Sequence, residues 1–324
     1  MGNLPRYDEL PLRAGYRASW GVWGPEGTDY FGCLNLLTPE RAAAAANTVR
    51  RGVAFPMNWD ASLPTPPLFG RSGFTHEVTG DSRSRGHDDV LHGWNTQSSS
   101  QWDGFRHIRN LDALEQGLGT GHYGAVPDEE HGMHHWAQRG LVGRAVLADL
   151  GRWRESIGRP LSCGDSDVIE PEEIGECLAT QGTEIREGDV LLIRTGWISW
   201  YLQQPPDVRE HISDRTRMTA VGLRGSERTV EVLWNMHIAA IGMDNPAIEV
   251  WPPPAANEPQ SVRERMFIHF LLLPMLGLPL GELWNLDPLA ADCAADGCYE
   301  GLFTSAPLNM PSGVASPPNA IVLK

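Results

Sequence analysis

Between Asn95 and His107 the chain reads Asn-Thr-Gln-Ser-Ser-Ser-Gln-Trp-Asp-Gly-Phe-Arg-His, which sets two amides, a carboxylate and an imidazole among small and apolar residues. In an extended segment residues two apart share a face, so Gln97, Gln101 and Asp103 fall on one side, and a turn at Gly104 would bring His107 to the same pocket. A carboxylate beside an imidazole is the material of acid–base catalysis, and amides can orient a substrate or hold an oxyanion. The same spacing also describes a polar edge strand whose side chains face water, and period alone does not separate the two. Ser98, Ser99 and Ser100 lie close by, yet the chain carries no Gly-x-Ser-x-Gly elbow. A serine hydrolase of the α/β-hydrolase type is therefore disfavoured, and Ser100 is expected to hold backbone or substrate oxygen.

Two further segments have chemical spacing. His131-Gly132-Met133-His134-His135 offers imidazoles four apart, which can chelate zinc on a helix, although Gly132 weakens that helix and no Glu follows the first His. Gly119-Thr120-Gly121-His122-Tyr123-Gly124 fits a dinucleotide-binding glycine pattern by spacing alone, but no apolar strand precedes it, so a plain loop is expected. Of the twelve tryptophans, Trp94, Trp102, Trp136 and Trp197 adjoin candidate site segments and hint at a flat or aromatic substrate, with packing in the core as the competing expectation.

Composition closes other routes. The net charge of −15 argues against a nucleic-acid partner, since phosphate backbones are held by clustered positive charge. Of the 26 basic residues only Lys324 is a lysine, which excludes a phosphate-loop lysine, a kinase strand lysine and a pyridoxal Schiff base. The five cysteines show no Cys-x-x-Cys spacing and read as reduced thiols. No apolar run approaches the roughly 20 residues of a membrane span, and the start lacks the apolar core of a secretion signal, so a cytoplasmic protein without membrane partners is expected.

The elements that must position these residues follow an α/β pattern. Thr38-Pro39-Glu40 opens a helix that runs through the alanines to Arg50-Arg51. From Arg144 onward apolar runs alternate with helices: Ala145–Ala148, a helix opened by Pro171, Val190–Ile193, a helix after Ser226, and Ile238–Gly242. A helix near 267–273 and strands near 283–286, 299–304 and 320–323 complete one domain over 1–324, with residues 1–60 as an arm and helix packing on it. The segment 70–124, without clear period, is where site-forming loops are expected.

The Asn95–His107 stretch resembles the signature His-x-Gly-Thr-His-x-Asp-x-Pro-x-His of the cyclase family that includes bacterial kynurenine formamidase and isatin hydrolase. Asp103 and His107 match, while Gln97 and Gln101 stand where that family has its two metal-binding histidines. Trp20-Gly21-Val22-Trp23-Gly24, Leu34–Pro39, Gly140–Arg144, Gly188–Trp197, Asp244-Asn245-Pro246 and Ser312–Pro317 are similar to the family too, so the resemblance spans nearly the whole chain. It implies a swivelling β/β/α fold with a mixed central sheet. It also implies a divalent metal site completed by a later His and Glu, here His269 and Glu282, with His107 as acid or base. His269 and Glu282 are each polar residues in apolar runs, and such groups are costly to bury unless something pairs with them. His135 and Trp136 match a His-Trp pair expected to line the pocket or pack beneath it.

The glutamines redirect the metal expectation. An amide offers only a neutral carbonyl oxygen, so Gln97, Gln101, Asp103 and Glu282 with one imidazole from His269 suit Mn²⁺ or Mg²⁺ better than Zn²⁺, bound weakly. The other option is no metal, with Asp103, His107, His269 and Glu282 as an acid–base cluster and Gln97, Gln101, Ser100, Trp102, His135 and Trp197 holding substrate. The expected activity is hydrolysis of an amide or lactone bond of a small cyclic or aromatic molecule by activated water. A cyclase or dehydratase running on the same groups, and a non-catalytic binding protein on the same fold, are the alternatives. The resemblance further implies a homo-oligomer, dimer or tetramer.

Overall fold

The computed structural model describes residues 4–253 and 266–324. Nine strands form its central sheet: β1 (Ala54–Pro56), β2 (Gln101–Asp103), β3 (Leu141–Asp149), β4 (Val190–Arg194), β5 (Ala240–Met243), β6 (Leu280–Glu282), β7 (Glu300–Ser305), β8 (Ala315–Ser316) and β9 (Ala320–Leu323). Their spatial order is β8-β2-β6-β5-β4-β3-β7-β9-β1. The four central strands β3, β4, β5 and β6 run parallel, and the flanking pairs are antiparallel. The result is a single α/β domain around one mixed sheet, as the sequence pattern leads one to expect.

Parallel strands need crossovers that cover the sheet, and the apolar runs supply the buried faces. Val190, Leu191, Leu192 and Ile193 of β4 are wholly buried. Helix α2 (Glu172–Thr180) links β3 to β4 and α3 (Glu227–Asn235) links β4 to β5, with the Ser226 side chain accepting from Thr229 N as an N-cap. Helix α1 (Pro39–Ala46) packs on β3 and β7 and is capped by Thr38, whose Oγ1 accepts from Arg41 N. It ends at Ala46 rather than near Arg51, because the backbone N–H groups of Arg51 and Val53 turn away to the Lys324 carbonyl and lead into β1 beside β9. Ahead of α1 the arm is stitched to the domain by Trp20 Nε1 donating to Pro274 O and Trp234 Nε1 donating to Pro5 O.

The strand expected near 283–286 lies instead at Leu280–Glu282. Leu283 takes φ 55°, leaves the sheet and donates its N–H to Asn245 O. All five cysteines are free. Among the described residues no helix is long and apolar enough to cross a membrane.

Candidate active site

The site is built on the seam between β2 and β6. Their register sets Gln101 opposite Glu282 and Asp103 opposite Leu280, so Gln101, Asp103 and Glu282 share one face while Trp102 points to the other. Gln101 Nε2 donates to Glu282 Oε2 across the pair. Gln97 arrives through a turn rather than along the strand, and its Nε2 donates to Asp103 Oδ1 at 2.6 Å.

His269 enters from a short helical turn (His269–Leu272) and meets this face with both ring nitrogens engaged. Nε2 lies 3.0 Å from Glu282 Oε1, and Nδ1 lies 2.8 Å from Glu249 Oε2. Asp103, Glu249, His269 and Glu282 are all essentially excluded from solvent. Burial opposes a charge on His269, but Glu249 and Glu282 outweigh it and hold the imidazole well above its ordinary pKa. Burial, then the charge of Asp103, pushes Glu282 up to about 7.

Backbone strain gathers around these groups. Ile248 has φ 47° beside Glu249, Leu283 has φ 55° beside Glu282, and Phe69 has φ 60° two residues before Arg71. Left-handed backbone costs a non-glycine residue about 1–2 kcal/mol, and it persists where the surroundings over-determine it. Here the turn Asp244-Asn245-Pro246 does so: Asn245 Nδ2 donates to Val221 O and Ile248 O, and Asn245 O receives Leu283 N. Asp244 anchors that turn by accepting from the backbone N–H groups of Thr195 and Gly196. One buried turn thus fixes both strained residues that carry the site glutamates.

His107 flanks Asp103. Gln97 Nε2 stands 3.2 Å from His107 Nδ1, so the neutral ring keeps its lone pair at Nδ1 and its proton at Nε2, 3.8 Å from Asp103 Oδ2. Burial lowers the pKa of His107, with Asp103 pulling the other way, so the ring is neutral at pH 7. Arg71 completes the ring of side chains: its Nη1 donates to Gln97 O at 2.8 Å and to Gln101 Oε1 at 3.1 Å.

The donor set fits a divalent cation. Asp103 Oδ2 is buried without a hydrogen-bond partner among the described residues, and it lies 3.8 Å from His269 Nε2. One ligand atom each from Asp103, His269 and Glu282 falls within 4.8 Å of the others, and Glu249 behind Nδ1 orients the ring as carboxylates do behind metal-binding histidines. Two carboxylates and one imidazole are a donor set that a divalent cation accepts. Gln97 and Gln101 turn their amide nitrogens to Asp103 and Glu282, so in this structure they brace the ligand carboxylates.

Several expected site residues lie elsewhere. Trp102 is wholly buried on the opposite face, edge-on to Trp284 at 4.6 Å and to Trp136 at 6.2 Å, because alternation along β2 sends it into the core. Trp197 stacks on Tyr201 at 5.2 Å and is likewise core. Ser100 Oγ donates to Leu283 O and accepts from Trp59 N, so it ties β2 to the strained Leu283. His135 donates to Glu130 O and stacks on Tyr30, and His131 donates to Tyr123 O, so the four-apart histidines form no chelate. The helix there begins only at His134. Glu249, Arg71 and Phe69 went unread in the sequence. Glu249 carried the signal that marked His269 and Glu282, a lone ionisable residue within the apolar run Ala247–Trp251; Arg71 and Phe69 carried none.

Comparison with known proteins bears on the family and the fold. A family model described as "Putative cyclase" matches residues 35–250. The solved structure of a novel cyclase is 27% identical, covering 95% of this chain and 99% of its own at a TM-score of 0.77. An isatin hydrolase bound to the product analogue thioisatinate is 14% identical, covering 89% of this chain and 99% of its own at 0.58. Isatin hydrolase A from Ralstonia solanacearum is 16% identical, covering 89% and 98% at 0.58, and both hydrolases speak to the fold alone. No curated protein matches the chain in sequence.

Proposed function

Because the chain belongs to the cyclase family, we propose that it is an enzyme that hydrolyses an amide or lactone bond of a small cyclic or aromatic substrate with activated water. The observation that carries this reading is Asp103 Oδ2, unpartnered among the described residues and buried between the Nε2 atoms of His107 and His269, each 3.8 Å away. A buried carboxylate oxygen without a donor costs about 1–3 kcal/mol, and occupation of the gap by a water, a substrate or a cation removes that cost.

Asp103, His269 and Glu282 would hold the divalent cation, with Mn²⁺ or Mg²⁺ favoured over Zn²⁺. When bound, it supplies a Lewis acid for the scissile carbonyl. The chain's own groups do the rest. His107 donates from Nε2 to the carbonyl oxygen as it takes up negative charge. Where water and not the cation fills the gap beside Asp103 Oδ2, that oxygen accepts from the attacking water, and the proton the water releases passes across it to the leaving nitrogen or oxygen. His107 therefore serves as a donor in its resting tautomer rather than as the base that takes the water's proton. Gln97 and Gln101 keep the two carboxylates in place, and Glu249 fixes the His269 ring.

The test is turnover of aryl formamides, cyclic imides and lactones by purified protein, with metal analysis, with added Mn²⁺ and with chelator. Hydrolysis that chelator suppresses and Mn²⁺ restores is expected. Absence of hydrolysis across the panel, with the protein folded and Mn²⁺ present, would remove the reading.

A further inference from the structure

Arg71 sits at the rim of the site with its guanidinium only half used. Both of its hydrogen bonds leave from Nη1 and end on neutral oxygens, Gln97 O and Gln101 Oε1. It forms no ion pair among the described residues, although three buried carboxylates, Asp103, Glu249 and Glu282, lie in the adjoining cluster. Its Nε and Nη2, the planar fork that matches a carboxylate, have no partner among the described residues.

The guanidinium is held in place by an aromatic wall. Its carbon lies 5.2 Å from the centroid of Phe69, the residue at φ 60°. Phe69 is edge-on to Trp251 at 5.1 Å, Trp251 is edge-on to Phe267 at 6.2 Å, and Phe267 stacks on His269 at 4.9 Å with the rings 11° apart. The wall therefore runs from the open guanidinium fork to the buried imidazole of the reacting centre. Strained backbone at Phe69 and a chain of ring contacts fix both ends.

We infer that Arg71 is a substrate-specificity residue whose Nε and Nη2 bind an anionic group, a carboxylate, carried by the substrate, so that the substrate class is a flat acid whose amide or lactone carbonyl reaches Asp103 and His107 along the aromatic wall. This rests on the hydrolase reading for the identity of the scissile bond, but the recognition of an anion stands on Arg71 itself. A substrate carboxylate would meet there a guanidinium whose two bonds reach only neutral oxygens, which leaves its charge to be paired by the ligand.

The experiment compares benzoate with its neutral isostere benzamide by calorimetry on wild type, Arg71→Gln and Arg71→Lys, and in parallel follows turnover of an aryl formamide bearing a ring carboxylate against its methyl ester. Wild type should bind benzoate at least tenfold tighter than benzamide. Arg71→Gln should weaken benzoate about tenfold to a hundredfold, as loss of a charge-assisted pair does, and leave benzamide within twofold, a split that a merely structural role of Arg71 would not produce. If Arg71→Gln does not fold, Arg71→Lys carries the test: charge without the planar fork should weaken benzoate at least fivefold with benzamide unchanged. Equal binding of the two probes by wild type, or benzoate binding that neither variant weakens, overturns the inference. Benzoate binding that depends on Arg71, in a protein that hydrolyses neither formamide, supports the inference and sinks the hydrolase reading instead.

Discussion

Replacing Glu249 by Gln isolates the contribution of a residue that touches no reacting atom. Glu249 is wholly buried, and both of its oxygens lie within 2.9 Å of His269 Nδ1. A glutamine keeps one carbonyl oxygen in reach of the Nδ1 proton, so the ring stays oriented, but the negative charge that enriches Nε2 is lost. Partners of this kind are worth about tenfold to a hundredfold in metal affinity, or about 1.4–2.7 kcal/mol. Mn²⁺ titration followed by calorimetry should therefore show Kd raised by that factor, and kcat/KM at subsaturating Mn²⁺ should fall in parallel. Far-ultraviolet circular dichroism should stay unchanged, because the hydrogen bond survives. Glu249→Ala, by contrast, leaves a buried Nδ1 donor unpaired and should also lose about 1–3 kcal/mol of stability. A Glu249→Gln protein that binds Mn²⁺ and turns over as wild type does would refute the assignment of Glu249 as the group that tunes His269.

Three further outcomes follow from the geometry. His107→Ala should lower kcat by about 10²–10⁴ while the melting temperature changes little, since the ring lies at the site and not in the packed core. Trp102→Ala should lose about 3–5 kcal/mol of stability in urea titration, with KM unchanged for any protein that remains folded, because the ring fills the core between Trp136, Trp284 and Phe303. Burial lifts Asp244 from 3.8 to about 6, so between about pH 4 and pH 6 the native state keeps a proton that the unfolded chain has released, and the contribution of Asp244 weakens as pH rises through that window. The stability difference between wild type and Asp244→Asn should accordingly shift against wild type by about 2–3 kcal/mol from pH 4 to pH 7, and a pH-independent difference would show that Asp244 stays ionised.

Much of this architecture is legible in the sequence because its signals are local. Continuous apolar runs such as Val190–Ile193 mark strands buried on both faces, and Thr38 and Ser226 announce helix starts. The pairing of Asp103 with His269 and Glu282 was reachable only through the family resemblance, since separations of 166 and 179 positions leave no periodic trace. Alternation predicted the common face of Gln101 and Asp103 but, read consistently, also sends Trp102 to the core, where the structure has it. Leu283 hides its departure from the sheet because an apolar residue at φ 55° looks like strand sequence; the hold on it comes from Asn245 and Ser100, distant in the chain. Arg71 has no local pattern at all, and its meaning lies in what its guanidinium does not contact.

Electron paramagnetic resonance of Mn²⁺ added to wild type and to Asp103→Asn tests the core of the account, which is that Asp103, His269 and Glu282 together hold a cation. One Mn²⁺ per chain in wild type, with affinity at least a hundredfold weaker in Asp103→Asn, is the predicted result. Stoichiometric Mn²⁺ in both proteins at equal affinity, or none in wild type at millimolar concentration, would contradict it.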